Sequence, residues 1–146
     1  PRFREFEQDI RPFSQVRPAL VQLAAQGQRL AIAESTPLSP ETVSATLDRL
    51  RLSQWFPHIF SARDLPRKAN REERFRAIAR DLETSPGEVA YVGRDPAELQ
   101  AAARAGLLTI AFNQDADATA DIYLDQFDRL PQLFKPSTPT RLQEAA

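Results

Sequence analysis

The apolar positions of this chain fall into two alternating kinds of run. Residues 14–26, "SQVRPALVQLAAQ", place Val16, Leu20 and Leu23 at spacings of four and three, which is one face of a helix. Ser14 can cap its start and Gly27 can end it. "RLAIAE" at 29–34 is a short unbroken apolar run and predicts a buried strand. "STPLSPET" is turn-rich, and Ser39 before Pro40 marks a helix start. The helix "PETVSATLDRLRL" then aligns Val43, Leu47 and Leu50. "HIFSA" at 58–62 predicts a second strand and "RDLPRKAN" a loop. "REERFRAIARDL" predicts a helix with Phe75, Ile78, Ala79 and Leu82 facing inward. "VAYVG", the helix "DPAELQAAARA" ending at Gly106, and "LLTIAF" complete the alternation.

Strands that alternate with helices of 10–15 residues predict a parallel α/β sheet with right-handed crossovers. The late strands are apolar without alternation, as strands covered by helices on both faces must be. The fold class expected is therefore a three-layer, Rossmann-like parallel sheet. Residues 1–134 form one domain in this reading, and 135–146, "KPSTPTRLQEAA", a flexible tail without an apolar face. Phe3, Phe6, Ile10 and Phe13 predict that the N-terminal segment packs onto something apolar.

Composition narrows the function classes. The 146 residues suffice for one domain with a core, and 42% hydrophobic against 27% charged residues is ordinary for a globular protein. A net charge of −1 gives no basic field for nucleic acid. No apolar run is long enough to span a bilayer, and "PRFREFEQDIRPF" has no signal core. The chain has no cysteine, which excludes disulfides and thiolate chemistry and fits the reducing cytoplasm, the location expected. It begins with Pro1 and has no methionine, so we expect a chain that is processed or cut from something longer.

In a parallel sheet the functional crevice lies beyond the carboxyl ends of the strands. That edge carries Glu34, Ser35 and Thr36, then the loop around Lys68, then Gly93, Arg94 and Asp95. From "QLAAQGQRLAIAESTPLSPETVSATLDRLRLSQWFPHIFSA", Lys68 with the helix behind it, and "EVAYVGRDPAELQAAARAGLLTIAF", the chain resembles the haloacid-dehalogenase-like (HAD) hydrolase superfamily. The likeness covers roughly residues 12–134, and "ATADIYLDQFDRLPQLF" is similar to the family's closing segment.

The resemblance implies a phosphatase chemistry with four signatures. An Asp-x-Asp-x-Thr/Val motif after the first strand supplies the nucleophile and the acid–base. A Ser or Thr after the next strand holds the phosphoryl group. A Lys neutralises developing charge, and an acidic pair holds Mg²⁺. This sequence departs from that pattern. No such aspartate motif precedes "RLAIAE". Glu34 stands at the Ser/Thr position, with Ser35 one residue on. Lys68 matches the third signature. Arg94 takes the first acidic position and Glu98 the last, with Asp95 beside them as the remaining acid.

The expectations drawn from this are specific. No residue is assigned a firm catalytic role; Glu34, Ser35, Lys68 and Arg94 hold the degenerate positions. Ser35, Thr36, Lys68 and Arg94 are the candidate binding residues. Asp95 and Glu98 are the only candidate metal ligands. Arg94 either forks a phosphate or pairs with a carboxylate, for which a Glu34–Arg94 contact under about 4 Å is expected. "DADAT", Asp115 to Thr119, matches the nucleophile pattern but reads as a surface loop. His58 reads as a helix–strand junction, and Gly93 as the residue that permits a tight turn. The missing first strand lies mid-sheet in the family. Its absence predicts either a closed-up four-stranded sheet or a strand supplied by another chain or an upstream segment.

The function expected is a HAD-like domain without catalytic activity, a pseudoenzyme acting in binding or assembly, with no cap domain and no cofactor. The alternative is a Mg²⁺-dependent phosphohydrolase whose nucleophile motif lies upstream, which would need Mg²⁺. A third reading is a phosphate-ligand sensor built on Lys68 and Arg94. The partners these readings allow are a protein, a second copy of the chain, or a small phosphorylated ligand.

Overall fold

The computed structural model describes residues 15–34, 38–61 and 70–134, with only the backbone of Glu34. The helices are α1 (Val16–Ala25), α2 (Pro40–Arg49), α3 (Arg71–Asp81) and α4 (Pro96–Arg104). The strands are β1 (Ala31–Glu34), β2 (His58–Ser61), β3 (Ala90–Gly93), β4 (Leu108–Phe112) and β5 (Ile122–Leu124). Short 3₁₀ turns lie at Ser53–Trp55 and Pro86–Glu88, and a longer 3₁₀ run at Phe127–Phe134. The alternation read from the sequence is therefore the alternation of the fold. The N-terminal aromatics, Ser14 and the tail 135–146 lie outside the described residues.

Helix ends follow local chemistry. Ser39 is extended and its hydroxyl accepts from the Thr42 amide at 3.2 Å, with Pro40 in the first turn. Asn70 does the same for Glu73 at 2.8 Å. α2 stops three residues short of its apolar pattern because Arg51 turns left-handed at φ 58°. Gly106, at φ +96°, ends the α4 segment where a side chain would be strained. Replacing Ser39 with Ala leaves the Thr42 amide without its acceptor. We expect a loss of about 1 kcal/mol in urea denaturation, with no change in m-value.

All ladders are parallel. β1 pairs with β2, and β3–β4–β5 form a second sheet. Alternate residues of each strand go to opposite faces. Ile32 and Ile59 meet α1 and α2 through Leu20, Val43 and Leu47. Ala33, Phe60 and Tyr91 pack on the other side against Phe75, Ile78, Ala101 and Ala102 of α3 and α4. Leu23 of α1 joins Ile110, Leu124 and Leu130, which brings the 3₁₀ run onto α1. These are the three layers expected. Helix faces that serve both sheets make them one body: Phe75 and Ile78 pack with residues of β1, β2 and β3 together.

The closed-up four-stranded sheet does not form among the described residues, because β1 and β3 share no ladder. All four residues of β3 are half-buried, whereas Thr109, Ile110 and Ala111 of β4 are buried. β5 was not expected as a strand. With three residues it is too short to show a period, and it is held instead by a side-chain clamp. The Asp121 carboxylate accepts from the Thr109 amide at 2.9 Å and its hydroxyl at 3.1 Å, and the Asp121 amide donates back to that hydroxyl. No helix of the described residues is long and apolar enough to cross a membrane.

Candidate functional site at the carboxyl edge of the strands

β1 and β2 run parallel and end together at Glu34 and Ser61, and β3 and β4 run parallel and end at Gly93 and just past Ala111. Ser35, Thr36 and Lys68 lie outside the described residues, as does the Glu34 side chain. What the structure shows of the candidate site is the β3 end, the loop behind β4 and the first turns of α3 and α4.

Arg94 follows β3 directly. Its terminal nitrogen donates to Asp115 Oδ1 at 2.8 Å, and the Asp115 amide donates to the Arg94 carbonyl at 3.2 Å. Among the described residues the carboxylate paired with Arg94 is Asp115; the expected Glu34–Arg94 contact involves the Glu34 side chain, which lies outside them. Both side chains are open to solvent, at 64% and 43%, so the pair contributes at most about 1 kcal/mol. Its geometric effect is larger, since it stitches the loop after β4 onto the loop after β3. The "DADAT" stretch is a turn at Ala116 and Asp117, a surface loop as read, but it sits beside the β3 end. Asn113, left-handed at φ 50°, aims the chain back toward Arg94.

Asp95 occupies the cap position of α4 without a side-chain capping bond. Glu98, three residues on, is 4% exposed and turned toward α3. Its Oε1 accepts from Arg71 Nε at 3.0 Å, and its Oε2 from a terminal nitrogen of Arg74. Arg74 is itself buried and lies over the Phe75 ring, 5.0 Å from its centre. Both oxygens of the last acidic position are thus committed to guanidiniums. Among the described residues no group of three or more His, Cys, Asp or Glu side chains could hold a metal.

Gly93 serves a purpose other than the one expected. It has no left-handed φ. A Cβ there would lie 2.5 Å from the Tyr91 hydroxyl, so the glycine leaves room for the Tyr91 ring, which meets Phe75 edge-on at 4.8 Å. His58 opens β2, exposed and stacked on Phe60, away from the strand's carboxyl end. Two residues escaped the sequence reading. Ser61, 2% exposed at the end of β2, donates to the Leu38 carbonyl at 3.0 Å and fixes the chain beyond β1. Arg74 is the other; its only signal is its place on the inner face one turn from Ile78.

The sequence model of the haloacid dehalogenase-like hydrolases matches residues 2–112. The chain belongs to that family. Solved structures share the fold. A predicted phosphoglycolate phosphatase from Haemophilus somnus superposes with TM-score 0.77 at 20% identity, over 91% of this chain and 62% of that one. A HAD phosphatase from Thermococcus onnurineus gives 0.73 at 20%, over 89% and 61%. L-2-haloacid dehalogenase from Xanthobacter autotrophicus gives 0.67 at 16%, over 87% and 62%. The chain thus spans about three fifths of the length of these relatives. No curated protein matches it in sequence.

Proposed function

We propose that this phosphatase-like domain does not catalyse phosphoryl transfer by itself and acts in binding or assembly. The observation behind this reading is the fate of the two acidic positions. One is Arg94, a cation bound to Asp115. The other is Glu98, whose two oxygens already neutralise Arg71 and Arg74. A hydrated Mg²⁺ needs free carboxylate oxygens, and a guanidinium beside it repels it. Only Asp95 is left, and one carboxylate is a weak hold. The described residues therefore do not fit the ion.

The expected result is no turnover of p-nitrophenyl phosphate above buffer with Mg²⁺ present. Magnesium-dependent hydrolysis by this chain would overturn the proposal. If that hydrolysis disappears in Asp115→Asn, the nucleophile is the loop aspartate.

Among the described residues no strand pairs with the outer flank of β1 or of β3, which favours a second reading. An upstream strand carrying the nucleophile would complete a Mg²⁺-dependent phosphohydrolase. Its test is the gene's reading frame expressed with the sequence upstream of Pro1. Turnover dependent on an aspartate of that segment supports it, and an inactive product removes it.

A further inference from the structure

A groove of about 230 Å³ separates α3 from α4, lined by Asn70, Arg71 and Glu72 on one wall and Ala97, Gln100, Ala101 and Arg104 on the other. The alanines leave the depth and the longer side chains supply the polar atoms. Arg71 is anchored in an unusual way. Its Nε is spent on the buried Glu98 carboxylate, so the side chain is held from below while its two terminal nitrogens bond no other described residue. Arg104 has no ion-pair or hydrogen-bond partner among the described residues. Glu72, the one acid in the lining, is already paired with Arg76.

Charge and size then define the ligand. In the groove and its ion-pair partners, Arg71, Arg74, Arg76 and Arg104 face only Glu72 and Glu98. The excess of two positive charges matches a phosphate dianion. A fixed guanidinium fork is the geometry that such oxygens accept. Drug-sized ligands need roughly 300 Å³ or more, so this groove admits a phosphoryl group and a few further atoms but not a nucleotide. We propose that the α3–α4 groove binds a small phosphate monoester, with Arg71 and Arg104 as the clamping residues and Gln100 as a neutral donor. The proposal stands apart from the question of catalysis and from Lys68 and Arg94.

The test is thermal unfolding with inorganic phosphate and methyl phosphate, at constant ionic strength set with chloride. The expected result is a saturable rise in Tm with both phosphates and none with chloride. Arg104→Ala removes an exposed side chain without a partner among the described residues, so the fold is kept while binding weakens about tenfold or more. Arg71→Lys keeps the charge but not the anchored fork, and weakens binding too. Lys68→Ala and Arg94→Ala leave it unchanged. The proposal fails if phosphate gives no specific rise. It fails equally if methyl phosphate is excluded, or if the rise survives Arg104→Ala and is lost in Lys68→Ala or Arg94→Ala.

Discussion

Glu98→Ala is expected to destabilise the protein by about 3–5 kcal/mol, measured by urea or thermal unfolding. The loss comes mostly from what is left behind. Arg74 is buried with a side chain 6% exposed, and Glu98 is its ion-pair partner between the two helices. Without the carboxylate the guanidinium remains in a poorly solvated place, which costs more than the pair contributes when intact. Arg71 is 59% exposed and rehydrates, so Arg71→Ala should cost about 1 kcal/mol or less. The contrast between the two arginines is part of the prediction. Replacing Arg74 and Glu98 together with Met and Leu should recover most of the loss, since an apolar pair of similar volume carries no desolvation penalty. A Glu98→Ala protein as stable as the parent would mean that other contacts of Arg74 hold its charge.

This ion pair also shows how far the sequence could be read. Stripes and runs placed α1, α2, α3, α4 and four strands, because each buries a face dictated by its geometry. Glu98 was read as a candidate metal ligand because the resemblance puts an acid there. Its burial was legible in principle: Glu98 shares a helical face with Ala101, Ala102 and Ala105, all buried. Arg74 shares a face with Ile78 in the same way. Two opposite charges on the inner faces of helices flanking one strand predict each other. Neither helix alone reveals the pair, since it is a contact across 24 positions of chain. The Arg94–Asp115 contact is non-local too, set by how far the loop after β4 folds back. Which carboxylate Arg94 would choose depended on that loop, and no periodicity runs through it.

The Tyr91–Gly93 relation had a similar fate. A glycine at a strand end predicts a turn, but here the demand is for space above the strand. That space is set by Phe75, and Phe75→Ala is the second large effect expected. Phe75 is 1% exposed, packs with Ile78, Ala101 and Ala102, and meets Tyr91 edge-on. Truncation removes the ring from a site shared by residues of β1, β2 and β3, and the cost should be about 3–5 kcal/mol. The walls are helices and strands fixed by their own ladders, so the cavity cannot collapse far. A second term adds to the first. The Phe75 ring carries the Arg74 guanidinium on its face, so its loss also loosens the buried ion pair. Phe75→Ala and Glu98→Ala should therefore be non-additive in a double-mutant cycle, by roughly 0.5–3 kcal/mol. Phe75→Leu separates the terms, since it fills most of the volume but gives the cation no ring. If the leucine variant restores stability and the cycle closes to zero, the ring serves only to fill space and does not help to hold Arg74.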